Sequence, residues 1–174
     1  MNLVFVARSK SPDEWKAVAS AISTLVDEAT FEAAAEGISF RGMDPSHIAL
    51  IDIHWPNHAF EKYECDSLVK FGIRVDEFSK LIKRADKKDA VEISIGDDSM
   101  LHLKMSNSYK REYKSRLIES SASSTPLPKL NFNSKAVFTA IAFDKVLSDV
   151  QVVSEYISIE SKSDRITFSG RGDS

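Results

Sequence analysis

The sequence predicts an α+β fold, with two helices packed on one side of mostly antiparallel sheet, and three observations predict it. Three consecutive segments alternate apolar and polar residues with period two, as half-buried strands do. Two other segments carry apolar residues at helical spacing. A stretch near the C-terminal end repeats the pattern of the first fifty residues.

Leu3-Val4-Phe5-Val6-Ala7 opens the chain as a short apolar run and predicts a buried strand. At Ser11-Pro12-Asp13-Glu14 the pattern is that of a helix start. Ser11 is a capping side chain, Pro12 loses no useful N–H at the first helical position, and Glu14 is placed to complete a capping box. Trp15, Val18, Ile22 and Leu25 follow as the apolar face. Strands are then expected at Thr30–Ala35, Ile38–Arg41 and Ile48–Ile53, followed by strand-like pieces within Tyr63–Val75. A second helix is expected over Asp76–Ala85, with Phe78, Leu81, Ile82 and Ala85 inward. The three alternating strands follow, carrying Val91, Ile93 and Ile95; Leu101, Leu103 and Met105; and Tyr113, Ser115 and Leu117. Strands before and after each helix, with no regular βαβ alternation, give the α+β class.

Glu119–Pro128 is small and polar and ends in two prolines, which marks a linker. Beyond it, adding 128 to a position in the first segment lands on a similar residue. Trp15, Val18, Ile22 and Leu25 become Phe143, Val146, Val150 and Val153, and Phe31-Glu32 becomes Ile159-Glu160. Ile38-Ser39-Phe40-Arg41-Gly42 becomes Ile166-Thr167-Phe168-Ser169-Gly170. The organisation expected is a first domain over 1–117, a linker over 118–129 and the start of a second, incomplete domain over 130–174. The first strand of that second copy requires a change in loop length. A full second copy would run to roughly residue 246, so a fragment of a longer protein is expected.

Composition narrows the function. The chain has 174 residues, 43% hydrophobic and 28% charged, an ordinary globular balance. Lys plus Arg is 23 against 26 for Asp plus Glu, a net charge of −3, so a basic nucleic-acid surface must be local. One cysteine, Cys65, excludes a disulfide framework and a cysteine-only metal site. No apolar run reaches membrane-spanning length and no signal pattern opens the chain, so a reduced, intracellular, soluble protein without a membrane partner is expected.

The chemistry-bearing candidates are few. Lys80, Lys83, Arg84, Lys87 and Lys88 lie along the second helix and its exit, spaced as one stripe opposite Phe78, Leu81 and Ile82. Such a stripe is ordinarily a solvated face; its functional alternative is a surface that tracks phosphates without reading bases. Lys16 and Lys145 add cations to the other two expected helices. His54 and His58 flank Trp55-Pro56, which argues against a helical metal pair, and no metal or cofactor is expected. Asp97-Asp98 is a turn between strands, Cys65 a small buried residue, and no glycine-rich phosphate loop occurs. No enzyme emerges from these residues.

Phe40-Arg-Gly-Met-Asp-Pro-Ser-His-Ile-Ala-Leu50, Tyr63-Glu-Cys65, the Phe78–Lys83 helix and Leu127-Pro-Lys-Leu130 together resemble the proliferating cell nuclear antigen family of DNA sliding clamps, the archaeal ones especially. The resemblance covers almost the whole chain. It implies a DNA-clamp (processivity) fold, without catalysis, whose full-length chains form a homotrimeric ring around duplex DNA. It implies that Lys16, Lys80, Lys83, Arg84 and Lys145 face DNA, with Ala17 and Ser23 making the first helix less basic than in many relatives. DNA polymerase, nuclease, ligase and a clamp loader are the implied partners, docking short hydrophobic motifs on Met43, His47, Ile48 and Leu50, with Leu127 and Pro128 from the linker. The strand around Tyr113 is implied as the subunit interface, and the location as cytoplasmic and nucleoid-associated, or nuclear in a eukaryotic source. A specialised subunit of a mixed ring or checkpoint clamp, and an open non-ring nucleic-acid-binding module, are the alternatives.

Overall fold

A computed structural model describes residues 3–119 and 126–172. Ser120–Thr125 of the expected linker, and Asp173 and Ser174 at the end, lie outside the described residues. The chain forms two units, Met1–Pro126 and Leu127–Ser174.

The first unit is built from β1 (Leu3–Ser9), α1 (Asp13–Ser23), β2 (Glu28–Ala34), β3 (Gly37–Met43), β4 (Leu50–Pro56), β5 (Lys62–Cys65), β6 (Val69–Arg74), α2 (Val75–Ile82), β7 (Ala90–Gly96), β8 (Met100–Ser106) and β9 (Lys110–Arg116). A single 3₁₀ turn, Asn57–Ala59, joins β4 to β5. The strands divide into two antiparallel sheets, ordered β5-β1-β7-β8-β9 and β4-β3-β2-β6. Alternation decides which side chains face the core. Ala29, Phe31 and Ala33 of β2 meet Val91, Ile93 and Ile95 of β7 and Leu101, Leu103 and Met105 of β8 in one continuous apolar cluster. Phe71 stacks on both Phe5 and Phe31, so one ring joins strands of both sheets.

The helices pack against each other and seal this core. Trp15 is 3% exposed, lies 4.4 Å from Trp55 between ring centroids, and donates from Nε1 to Ser9 Oγ at 3.1 Å. The start of α1 differs from the sequence expectation. Ser11 Oγ accepts the Asp13 N–H at 3.2 Å, while Pro12 occupies the cap position and no reciprocal Glu14 bond forms. Helix α1 also ends at Ser23, which leaves Leu25 in the following turn.

Two close approaches hold the sheets in register. Gly37 has φ +146°, and a Cβ there would sit 2.1 Å from the Trp55 carbonyl oxygen. Gly72 lets the chain leaving β9 cross onto the β6 edge, where Ile118 N–H donates to Gly72 O at 3.0 Å. Tyr63 ties β5 to the end of β2 by donating to Ala34 O at 2.6 Å, and burial pushes its phenol pKa up.

The second unit contains α3 (Ala140–Gln151), β10 (Ser158–Ser161) and β11 (Ile166–Ser169) among its described residues. The offset of 128 holds at the level of individual strand pairs. Phe31↔Phe40, Glu32↔Ser39 and Ala33↔Ile38 in the first hairpin correspond to Ile159↔Phe168, Glu160↔Thr167 and Ser161↔Ile166 in the second. Thr139, at the position matching Ser11, caps α3 by accepting from the Ala142 N–H at 3.2 Å. The first strand of the copy does not form: residues 126–139 have no regular structure. The counterpart β1 is clasped between β5 and β7, and no strand flanks 126–139 among the described residues.

Candidate functional site

Three surfaces carry the residues singled out from the sequence. The first is cationic. Helix α2 ends at Ile82, one turn earlier than its periodicity suggests, because Arg84 and Ala85 N–H groups bond back to Leu81 and Ile82 in tight turns. Lys83 is therefore the C-cap, and Arg84, Lys87 and Lys88 project from the turn beyond it rather than from a single helical stripe. All four are exposed. Lys80 is on the helix but pairs with Asp76 at 3.1 Å, an exposed i,i+4 contact of small energetic weight. Lys16 is half-buried, and its Nζ donates to Ala85 O at 2.6 Å. Its ammonium is thus engaged at the exit of α2 instead of standing free. Lys145 is exposed on α3, in the second unit.

The second surface is the β3–β4 loop. Asp44 organises it: Oδ1 accepts the N–H groups of Ile48 and Ala49, each at 2.7 Å, and Oδ2 accepts that of Ser46 at 3.0 Å. The Ala49 bond foremost, then those of Ile48 and Ser46, hold the Asp44 carboxyl below the usual aspartate range against the opposing effect of burial. His47 sits at φ 59°, a conformation this Asx-type turn enforces. The loop therefore presents Ile48 with 87% of its surface exposed, next to half-buried Met43 and Leu50, which pair across β3 and β4. Asp44 was not among the sequence candidates, although Asp-Pro-Ser is a legible turn signal. Leu127, 55% exposed, and the exposed Pro128 belong to the second unit.

The third is the open edge of β9. Among the described residues it pairs with β8 alone, and its side chains alternate as a solvated edge requires: Lys110, Glu112, Lys114 and Arg116 are exposed, while Tyr113 turns inward and packs on the core. Two polar clusters that the sequence reading missed anchor this strand. His102, 1% exposed, has Nε2 2.8 Å from Asp98 Oδ2 and Nδ1 3.2 Å from Glu112 Oε1. Arg111 reaches from β9 to Asp89, which is fully buried, and donates to Arg84 O at 2.8 Å. Neither cluster has a periodic signature, since its members come together only when β7, β8 and β9 pair.

Among the described residues no group of three or more His, Cys, Asp or Glu side chains could hold a metal ion. Cys65 is buried, its Sγ 3.1 Å from Ser67 O, and burial pushes its thiol pKa up. No helix among the described residues is long and apolar enough to cross a membrane.

Comparison with known proteins gives a single answer. The family pattern described as proliferating cell nuclear antigen, N-terminal domain, matches residues 4–122. A protein of Nitrosopumilus maritimus named DNA polymerase sliding clamp is 62% identical over 172 residues, covering 99% of this chain and 68% of its own length. The protein of the same name from Cenarchaeum symbiosum is 59% identical over 172 residues, with the same two coverages. The crystal structure of proliferating cell nuclear antigen from Thermococcus kodakaraensis superposes with TM-score 0.88 at 26% identity, over 97% of this chain and 69% of that one.

Proposed function

The chain belongs to the proliferating cell nuclear antigen family of DNA sliding clamps, and from that premise we propose how it works: as a polymerase processivity factor held on DNA by encirclement, with no catalytic step of its own. The observation that carries this reading is the 62% identity over 172 residues to a protein named DNA polymerase sliding clamp.

In this proposal three full-length copies close a ring, with the open backbone edge around Tyr113 pairing with a strand of the next subunit. Cations of the helical layer, Lys80, Lys83, Arg84 and Lys145 with Lys16 behind them, give the enclosed duplex a non-specific electrostatic lining. Polymerase, nuclease, ligase and loader share one mode of attachment, a short hydrophobic motif seated on Met43, His47, Ile48 and Leu50. The support for that mode is the exposed Ile48 on a loop fixed by Asp44, since a pre-ordered apolar anchor binds without first being immobilised. Leu127 and Pro128 stay in the proposal as the contacts the family resemblance implies. The protein would act where the chromosome is, in the cytoplasm or nucleoid of an archaeal source.

A topological test separates the ring from an open module. Full-length protein, completed through its second domain, is incubated with nicked circular duplex at low salt, the salt is raised to strip phosphate contacts, and the retained fraction is measured before and after the circle is cut. Retention that disappears on cutting supports encirclement. Complete loss when salt is raised, with the circle intact, overturns it.

A further inference from the structure

The turn that follows α2 is built more heavily than a solvated loop requires. Between Lys83 and Asp89 it carries four cations, Lys83, Arg84, Lys87 and Lys88, and two carboxylates. Both carboxylates face Arg111 of β9, Asp89 from the interior and Asp86 from the surface. Asp89, fully buried, pairs with the Arg111 guanidinium and accepts the Asp86 N–H at 2.6 Å, and Asp86 Oδ2 lies 3.5 Å from Arg111 Nη2. Two successive carbonyls are also held by cations from neighbouring elements. Arg84 O accepts from Arg111 on β9 at 2.8 Å, and Ala85 O accepts from Lys16 on α1 at 2.6 Å.

The turn is thus clamped from both sides, while the side chains of Lys83, Arg84, Lys87 and Lys88 stand exposed, with no ion pair to any of them among the described residues. Lys80, by contrast, already has Asp76. Cations on a fixed backbone lose less freedom when they meet a polyanion than cations on a mobile loop.

We propose that the turn 83–88 is the pre-organised phosphate-contact surface of this unit, and that Lys16 is a positioning residue for it, acting through the Ala85 carbonyl rather than on DNA itself. The proposal rests on the sliding-clamp reading but adds Lys87 and Lys88 to the contact and takes Lys16 out of it. The 2.6 Å bond to Ala85 O commits the half-buried Lys16 to ordering the turn.

The test is binding of a short linear duplex at low salt, which needs no ring, with affinity followed as salt is raised. Each phosphate contact contributes about 0.9 to the slope of log K against log salt. K87Q/K88Q is expected to lower the slope by about 1.8. K16M is expected to weaken binding several-fold in the wild-type background and to have almost no effect in a K83Q/R84Q/K87Q/K88Q background, the non-additivity of a residue that acts through others. Thermal unfolding of each variant verifies that it is folded. Wild-type binding with an unchanged slope in K87Q/K88Q overturns the role of the turn. Equal losses from K16M in both backgrounds overturn positioning and make Lys16 a direct contact. If the folded wild type shows no salt-dependent duplex binding at all, the electrostatic lining of the proposed function fails, and this inference with it.

Discussion

Asp44 holds Ile48 by its backbone: a carboxylate oxygen 2.7 Å from the Ile48 N–H fixes the loop from which that side chain projects, 87% exposed. Order in the main chain and exposure in the side chain have one cause. Asp44→Ala removes the acceptor for three N–H groups, so amide exchange at Ser46, Ile48 and Ala49 should accelerate while the strands on either side stay protected. Because the folded pKa of Asp44 is lowered, its stabilisation is complete above the ordinary aspartate pKa of about 4 and is lost as pH falls through the lowered value. Protection of the same amides, measured against the intrinsic exchange rate at each pH, should therefore fall on acidification below that point in the wild type, and not in the variant.

Ile48→Ala separates docking from folding. An isoleucine this exposed contributes little to the core, so the unfolding free energy from chemical denaturation should change by no more than about 0.5 kcal/mol. Affinity for a short hydrophobic motif peptide should fall roughly tenfold or more, the loss of one anchor side chain. Calorimetric titration measures it, with Leu127→Ala as the parallel variant. Unchanged affinity in both would remove these residues from the docking surface.

The buried His102 makes β9 acid-sensitive. The His102 hydrogen bond is the largest influence holding Glu112 below the usual glutamate range; for Asp98 burial is the largest single influence and pushes upward, but the bonds from His102 and the Met100 N–H, with the nearby positive charge, together hold its carboxyl below the usual aspartate range. Lowered carboxyl pKa values stabilise the fold above pH about 4.5 and lose that contribution as pH falls through them. Urea denaturation of Glu112→Gln across pH 3–7 should give a flatter acid limb than the wild type. An identical limb would show that the pair carries no linkage.

Gly37 is strained for any other residue, with φ +146° and the Trp55 carbonyl oxygen 2.1 Å from where a Cβ would sit. Gly37→Ala should cost about 2 kcal/mol or more, since both the conformation and the β3–β4 register must yield. Chemical denaturation measures this.

Trp15→Ala should be the most damaging of these substitutions, at about 3–5 kcal/mol. It empties a site shared by Trp55, Phe60 and Phe78 and leaves the Ser9 hydroxyl without its indole partner. The same denaturation assay ranks it against Gly37→Ala.

Much of this molecule was legible in one dimension because its signals are local. Alternation located β7, β8 and β9; helical spacing located α1, α2 and α3; and the 128-residue offset held down to the pairing of Ile159 with Phe168. The family motif around Met43–Leu50 was legible for the same reason, being contiguous. The stripe of cations was read with the wrong boundary. Helical periodicity continues through Ala85, whose side chain is buried, but the backbone turns at Lys83 to reach β7. Periodicity reports which residues are inward and is silent on the hydrogen bonds that stop a helix. What the sequence by itself determined is therefore the element order, the repeat and the family. Only the tertiary structure decided that Lys16 serves a carbonyl, that Arg111 and Asp89 brace a basic turn and that His102 lies between two carboxylates, because each is a contact between residues distant in the chain whose energies depend on burial and geometry that no local pattern encodes.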